Sequence, residues 1–175
     1  RCQVCVRDTF LNAHGFLVGA NDHLGHGESV AEGARRLYFG EKGSCQHVVD
    51  DMYTLRCRTG DAYPELPYFI MGHSMGSFLT RRYLCEHSQD IHAAIIMGSG
   101  WYSAAETGLA YYAAKLTRAI RGRHTKSKPL TALFSLPFLL SFRYEGKNAW
   151  LSVNKQNVDG FMTYPLRGFG FTAGG

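Results

Sequence analysis

The chain has 175 residues, of which 45% are hydrophobic and 19% are charged, a balance typical of a folded globular protein rather than a disordered one. Its formal net charge is +5, from 19 Lys and Arg against 14 Asp and Glu, which allows weak attraction to anionic surfaces without requiring nucleic acid. No apolar run approaches the roughly 18 residues of a transmembrane helix, so no transmembrane segment is predicted in this sequence.

The first predicted elements are a strand and an amphipathic helix on either side of a polar loop. A short helix ends at Gly15, and the apolar run Phe16–Ala20 is predicted to be a buried strand. The glycine-rich stretch Asn21–Ser29 is predicted to be a loop. Within Gln46–Arg58, apolar residues recur at three- and four-residue steps, which predicts one face of a helix. These residues are Val48, Val49, Met52 and Leu55, with Cys45 extending the stripe backwards.

Two more apolar runs follow, with a helical pattern between them. Tyr68–Met71 and Ala93–Met97 are short and wholly apolar, as expected for strands of a parallel sheet covered on both faces. The helical pattern between them begins near Gly76. Because strands alternate with helices, the sequence predicts βαβ units and an α/β fold with a parallel sheet and flanking helices.

The pattern changes after residue 100, where no further strand is predicted. Ala104–Arg121 is typical of a helix, Leu130–Phe142 is strongly apolar, and Gly146–Gly175 is loop-like. We therefore predict a partial core in residues 1–100 and a segment outside the sheet in residues 101–175.

The cysteines and the basic residues do not indicate a metal or a nucleic-acid site. Cys2 and Cys5 are the only closely spaced pair, and no second pair completes a zinc site. The pair also lacks the βαβ context of a thioredoxin-like motif. Scattered thiols favour a reduced, cytoplasmic protein, with membrane association left open. The basic stretch Arg118–Lys128 contains no Phe, Trp or Tyr, which favours a solvated loop over nucleic-acid binding.

The motif that indicates chemistry is Gly72-His73-Ser74-Met75-Gly76, between a predicted strand and a predicted helix. A G-x-S-x-G sequence at such a junction is the nucleophile elbow, a cramped turn that exposes the serine hydroxyl at the sheet edge. Both glycines are expected to be required, because a Cβ there would collide with the neighbouring strand or helix. The N–H of Met75 would face a developing oxyanion from the start of the helix.

These motifs together resemble the monoacylglycerol lipase and lysophospholipase branch of the α/β-hydrolases, also called serine-aminopeptidase-like. The resemblance covers nearly the whole chain from about Phe10, and its last part looks like the helical cap of that branch. Its matching segments are Asn21–Ser29, Phe39–Gly43, Val49–Met52, Leu66–Leu79, Trp150–Ser152 and Pro165–Thr172.

The resemblance implies a role for each motif residue. Ser74 would be the nucleophile, and the Met75 N–H would be half of the oxyanion hole. Asp22 to Ser29 would form the loop beside the site, with Gly25 and Gly27 shaping it. We expect His26 and His73 to be structural, because both lie inside motif loops and adjacent residues on a tight turn point apart.

The resemblance also implies parts that this sequence does not supply. In this branch a second oxyanion donor precedes the elbow, and the acid and then the histidine follow it. The pair Asp90 and His92 is too close in sequence to form a triad with Ser74. His87 and His124 are poorly placed, and Glu106 is followed by no convincing histidine. We therefore expect a fragment of a longer hydrolase, incomplete at both ends and inactive alone, because a serine without a base is a poor nucleophile.

The expected reaction is ester hydrolysis through an acyl-serine intermediate, without a metal or organic cofactor. The expected substrate is a monoacylglycerol, a lysophospholipid or a small ester. The apolar Leu130–Phe142 segment is either a helix buried against the core or a lid that admits an acyl chain, with the basic stretch contacting anionic headgroups at a membrane surface. Two alternatives stay open: an aminopeptidase-like hydrolase, and a truncated relative used only for binding. The oligomeric state is left open.

Overall fold

A computed structural model describes most of the chain, in two compact units. The first unit contains Phe39–Tyr112, and the other combines residues up to Tyr38 with residues from Ala113 to Ala173. The strands and the G-x-S-x-G motif lie in the first unit. The predicted division into residues 1–100 and 101–175 stays a prediction. The described residues are 9–30, 32–33, 38–40, 44–122, 140–146 and 148–163.

Helices α1 (Ser44–Ala62) and α2 (Met75–His87) pack against each other and supply the buried side chains of this unit. Val48 and Val49 of α1 are fully buried and Met52 and Leu55 are half-buried, which confirms the predicted helix and most of its apolar stripe. Cys45 is exposed and does not extend the stripe. Leu79 of α2 is buried as well. Burying an aliphatic side chain of this size contributes about 1.5–3 kcal/mol, so this small interface is a main source of stability for the unit.

Strands β1 (Phe69–His73) and β2 (Ala93–Met97) pair in parallel, in a register that joins Phe69 to Ala93 and His73 to Met97. Helix α2 connects the strands and packs against both. The predicted strands, their parallel pairing and the α/β fold class are therefore confirmed. The expected burial of both strands is wrong, because all five residues of β2 are exposed and Phe69, Met71 and His73 of β1 are exposed as well.

The predicted strand at Phe16–Ala20 is also wrong. Residues 9–13 are helical, and Gly15, at a φ of +84°, ends the helix as predicted. The N–H of Phe16 donates to the Leu11 carbonyl at 3.1 Å and that of Gly15 to the Asn12 carbonyl at 3.1 Å, which is a Schellman helix end. Residues 16–20 have no regular structure, and Phe16 is 52% exposed. The apolar run thus leaves the helix end as an irregular segment and joins no sheet among the described residues.

Helix α3 (Ala104–Arg121) matches its predicted range. The region predicted to be loop-like contains a 3-10 turn at Ala149–Leu151 and a helix, α4 (Lys155–Thr163). Asn154 Oδ1 accepts the Gln156 N–H at 2.9 Å, an N-terminal cap for α4. Most of the predicted apolar segment Leu130–Phe142 lies outside the described residues, as do Cys2, Cys5, His124 and most of the basic stretch. Among the described residues, no helix has the length and apolar character needed to cross a bilayer.

The thiols of the first unit are free at Cys45, Cys57 and Cys85. Their reduced state was the ground for a cytoplasmic location, and that location stays a prediction.

Candidate active site

Ser74 occupies the turn between β1 and α2 in a backbone conformation that is rare for a side-chain-bearing residue. Its φ is +54° and its ψ is −119°, and within the described ranges it is the only residue other than glycine with a positive φ. Such a conformation costs on the order of 1–3 kcal/mol and persists only where the surroundings hold it. The predicted strained turn therefore lies at the predicted serine.

Hydrogen bonds hold both backbone groups of Ser74. Its N–H donates to the Met97 carbonyl at the end of β2, at 3.0 Å. Its carbonyl accepts the Ser77 N–H at 2.9 Å and the Ser77 hydroxyl at 2.6 Å. The turn is thus fixed to the neighbouring strand on one side and to the first turn of α2 on the other.

The side chain of Ser74 takes no part in the hydrogen bonds that hold this turn. Serine at the start of a helix commonly caps it, and Ser103 does so in α3: its hydroxyl donates to Glu106 at 2.7 Å and accepts the Glu106 N–H at 3.2 Å. Ser74 forms no such cap. It is exposed, and its Oγ has no hydrogen-bond partner within the described part of the chain. The hydroxyl is therefore open to an external partner.

The N–H of Met75 lies beside this hydroxyl as the first N–H of α2. The first N–H groups of a helix have no acceptor within it, and they carry the positive end of the helix dipole. A carbonyl oxygen that gains negative charge next to Ser74 would therefore find a preorganised donor here.

The two motif glycines differ in what surrounds them. A Cβ on Gly72 would overlap the Gly76 carbonyl oxygen and the Thr80 hydroxyl, so the predicted collision is present there. A Cβ on Gly76 would meet no described atom within 4 Å, so the predicted collision is absent at this position. Only the first glycine is required by the contacts of the described residues.

His73, the residue before Ser74, is exposed and lies beside Gly98, the residue after β2. A Cβ on Gly98 would lie 3.2 Å from His73 Nε2 and 3.6 Å from the Ser74 N, and Gly98 has a φ of +58°. The positive φ favours glycine at this position, because a residue with a side chain would be strained there. The structural role expected for His73 stays a prediction.

The loop predicted to lie beside the site belongs to the other unit and holds itself together. Asp22 Oδ2 accepts the Glu28 N–H at 2.9 Å, and the Asp22 carbonyl accepts the Ser29 hydroxyl at 2.7 Å. The Asp22 side chain thus orders its own loop. The placement of this loop beside Ser74 stays a prediction.

The glycines of that loop have conformations that other residues rarely adopt. Gly25 and Gly27 have φ values of +72° and +51°. A Cβ on Gly25 would overlap the Tyr38 backbone, and one on Gly27 would overlap the Asp22 carboxylate. His26 Nδ1 bonds the Leu24 carbonyl at 3.0 Å. These contacts fit the shaping role that the resemblance implies for the glycines.

The candidates for acid and base after Ser74 are engaged elsewhere. His92 Nδ1 accepts the Tyr68 N–H at 3.0 Å, at the start of β1 and β2, whereas Ser74 follows their far ends. His87 stacks on Tyr53 with ring centroids 4.0 Å apart. Hydrogen bonds from the hydroxyl and N–H of Ser103 lower the pKa of Glu106, which completes the cap of α3. Among the described residues, none of these groups forms a hydrogen bond with Ser74. No cluster suited to a metal ion occurs within the same residues.

Sequence reasoning missed two side chains that brace the elbow. Ser77 bonds the Ser74 carbonyl, and Arg81 Nη1 donates to the Gly100 carbonyl at 3.1 Å, which ties α2 to the loop after β2. Ser77 is buried in α2, but it lies two residues from Leu79 and so off the side that Leu79 occupies, and the helical spacing of apolar residues does not reveal it. Nothing in the sequence singles out Arg81.

A strained, exposed serine between a parallel strand and a helix defines the α/β-hydrolase class. The chain belongs to the family described as serine aminopeptidase, S33, whose model matches residues 8–174. The resemblance to the monoacylglycerol lipase branch and the α/β-hydrolase fold are thereby confirmed.

Similar proteins include lipases and an esterase. The chain is 33% identical over 112 residues to a monoglyceride lipase homolog of Monkeypox virus, covering 63% of this chain and 38% of that protein. It is 33% identical over 88 residues to a monoacylglycerol lipase of Mycolicibacterium smegmatis, covering 50% and 29%. A crystal structure of a highly thermostable carboxyl esterase from Bacillus coagulans, in complex with glycerol, has a TM-score of 0.78 and 27% identity, covering 95% of this chain and 54% of that one. The match therefore spans about half of the solved chain and less than half of these curated relatives.

Proposed function

We propose that the chain is the central part of a serine hydrolase that cleaves carboxylic esters, with Ser74 as its nucleophile. The observation that carries the proposal is the combination of a strained backbone and an exposed hydroxyl that takes no part in capping α2. A fold that holds a serine in this way supports a use for its hydroxyl outside the fold. The lipase and esterase names of the similar proteins support the same class of reaction.

In the proposed reaction, Ser74 Oγ attacks the ester carbonyl carbon while a histidine takes its proton. The carbonyl oxygen becomes an oxyanion and accepts a hydrogen bond from the Met75 N–H. The C–O bond then breaks, and the alcohol leaves with the proton from the histidine. Water attacks the acyl-serine by the same route, which releases the carboxylic acid and restores the Ser74 hydroxyl.

We propose that the histidine, its acid and the second oxyanion donor come from parts of the protein outside this chain. Ser74 Oγ has no partner among the described residues, and the nearest candidates in sequence order, His87 and His92, bond or stack elsewhere. The similar proteins are longer than the matched segment. The segment alone is therefore expected to be inactive.

The proposed substrate is a monoacylglycerol or a related small ester, lysophospholipids included. Peripheral contact with a membrane surface belongs to the same proposal, because α3 exposes apolar side chains at helical spacing at Leu109, Tyr112, Leu116 and Ile120. Arg118 and Arg121 lie in the last turn of α3 and would add attraction to anionic lipids.

A second candidate is hydrolysis of an N-terminal peptide bond, which the description of the matching family as serine aminopeptidase favours. The same nucleophile and oxyanion donor serve both reactions, since each passes through a tetrahedral oxyanion. The substrates separate them.

The test uses the full-length protein that carries this chain, its Ser74→Ala variant and a fluorophosphonate probe. We expect the probe to label Ser74, as read by peptide mapping, and to leave the variant unlabelled. Monoacylglycerols and acyl esters of increasing chain length should be hydrolysed faster than aminoacyl amides. The reverse preference would support the aminopeptidase, and a folded protein without Ser74 labelling would support a non-catalytic relative.

A further inference from the structure

The Ser74 carbonyl and the Met75 N–H belong to one peptide unit. A peptide unit is planar and trans, so its C=O and N–H point in opposite directions. Any contact that fixes the direction of the Ser74 carbonyl therefore fixes the direction of the Met75 N–H. Contacts to the Ser74 carbonyl thus set the direction of the Met75 N–H, the proposed oxyanion donor.

Ser77 provides two hydrogen bonds to that carbonyl. Its N–H donates at 2.9 Å, and its hydroxyl donates at 2.6 Å, at the short end of the range for an O–H···O bond. The side chain is fully buried, so water does not compete for the hydroxyl. Both bonds reach from the first turn of α2 to the carbonyl that precedes the helix.

We propose that the Ser77 hydroxyl is a positioning residue for the oxyanion hole, because it locks the Ser74–Met75 peptide plane and so directs the Met75 N–H. This inference rests on the proposed function. Ser77 does not touch substrate in this role. Ser77 is expected to stabilise the transition state, in which the oxyanion forms, and to have little effect on substrate binding.

The chain contains a matched example of the same bonding without a catalytic role. At the start of α3, the Thr107 N–H and hydroxyl both donate to the Ser103 carbonyl, each at 3.0 Å. Ser103 is a capping residue with its side chain engaged by Glu106. A hydroxyl at a helix start can therefore bond the carbonyl of the residue before the helix for structural reasons alone. Thr107 is exposed whereas Ser77 is buried, so Thr107 is a control for the bond and not for its burial.

The test compares Ser77→Ala with Thr107→Val in the full-length protein, using a short-chain ester and a trifluoromethyl ketone that forms a tetrahedral adduct with the serine. We expect Ser77→Ala to lower kcat about tenfold and to weaken the ketone by a similar factor, with KM nearly unchanged. Thr107→Val should change kcat and ketone affinity by less than about twofold. Ser77→Thr, which restores the hydroxyl, should recover kcat.

Other results would overturn the inference. If Ser77→Ala leaves kcat and ketone affinity unchanged, or changes them only as much as Thr107→Val does, the hydroxyl does not direct the oxyanion donor. Should Ser77→Ala fail to fold, Ser77→Cys keeps the size of the side chain with a weaker donor, and full activity there counts against the inference. A wild-type protein in which Ser74 is not labelled refutes the proposed function itself, and this inference with it, whereas an active wild type with an unaffected variant refutes this inference alone.

Discussion

Alanine at Gly72 is expected to damage the site far more than alanine at Gly76, although both glycines belong to the same motif. The new Cβ at Gly72 would lie 2.7 Å from the Gly76 carbonyl carbon and would overlap the Gly76 carbonyl oxygen and the Thr80 hydroxyl. Carbon atoms in contact are ordinarily about 3.5–4.0 Å apart. The first turn of α2 must therefore move by roughly an ångström.

The expected losses of stability and of reaction rate in Gly72→Ala follow from this displacement. Forcing a methyl group into a packed site costs about 1–3 kcal/mol, and an ångström of misplacement at a reacting group costs roughly a hundredfold in rate. Gly76 has open space around its Cβ position within the described residues. Because alanine suits a helix better than glycine, Gly76→Ala should gain about 0.5–1 kcal/mol.

The measurement is the free energy of unfolding in urea, with the rate of fluorophosphonate labelling, for both variants of the full-length protein. We expect Gly72→Ala to lose stability and nearly all labelling, and Gly76→Ala to keep both. A Gly72→Ala protein with wild-type stability and labelling would refute the reasoning. Equal damage in Gly76→Ala would show that atoms beyond the described residues crowd that position.

Four further substitutions test other parts of the first unit by denaturation or labelling. The Tyr83 hydroxyl is buried without a hydrogen-bond partner among the described residues, and burial raises the pKa of Tyr83 to about 12. Tyr83→Phe should therefore stabilise the fold by about 1 kcal/mol. The wild type should lose stability as the pH rises above 10.0, the ordinary pKa of tyrosine, and Tyr83→Phe should not show this loss. Ser103→Ala should lower the free energy of unfolding by about 1 kcal/mol. Hydrogen bonds from Ser103 lower the pKa of Glu106, so they stabilise the fold above the ordinary pKa of 4.5 and lose this effect as the pH falls through the folded-state pKa. The difference in free energy of unfolding between Ser103→Ala and the wild type should therefore narrow in acid. Glu106→Gln should be less sensitive to acid than the wild type over the same range, and an unchanged acid profile would contradict the cap. Gly98→Ala, at a φ of +58° and 3.2 Å from His73, should slow labelling of the nucleophile, and a wild-type rate there would contradict the close approach.

The fold was predictable where several local signals agreed. Ala93–Met97 was recognised as a strand because its apolar run is short and glycine follows it, and the structure has the same bounds. Phe16–Ala20 is just as apolar, but it has no neighbouring strand among the described residues and its first N–H closes a helix end. A short apolar run indicates a strand only when a partner lies beside it, and the sequence does not show partners.

The helix at Lys155–Thr163 was missed for a different reason. Val158, Phe161 and Met162 have helical spacing, and Asn154 caps the start. Gly160 inside the run, together with the many small residues around it, favoured a loop instead. Glycine weakens a helix by only about 1 kcal/mol, which packing can offset.

The G-x-S-x-G motif of the site was predictable from the sequence, but the side chain that holds its backbone in place was not. Ser74 needs glycine nearby and a strand and a helix on either side, and all of these can be recognised in a sequence. The role of Ser77 depends on which carbonyl its hydroxyl meets. That contact exists only once the backbone has turned, so no spacing rule reveals it.

The hydrogen bond from the Ser74 N–H to the Met97 carbonyl makes the conformation of Ser74 depend on the pairing of β1 with β2. If β2 separates from β1, this bond breaks, and among the described residues no other hydrogen bond on that side holds the strained turn. Local opening of the sheet should therefore abolish reactivity before the helices unfold. Probe labelling, followed against denaturant alongside helical circular dichroism, would then report the local opening of this single pair of strands.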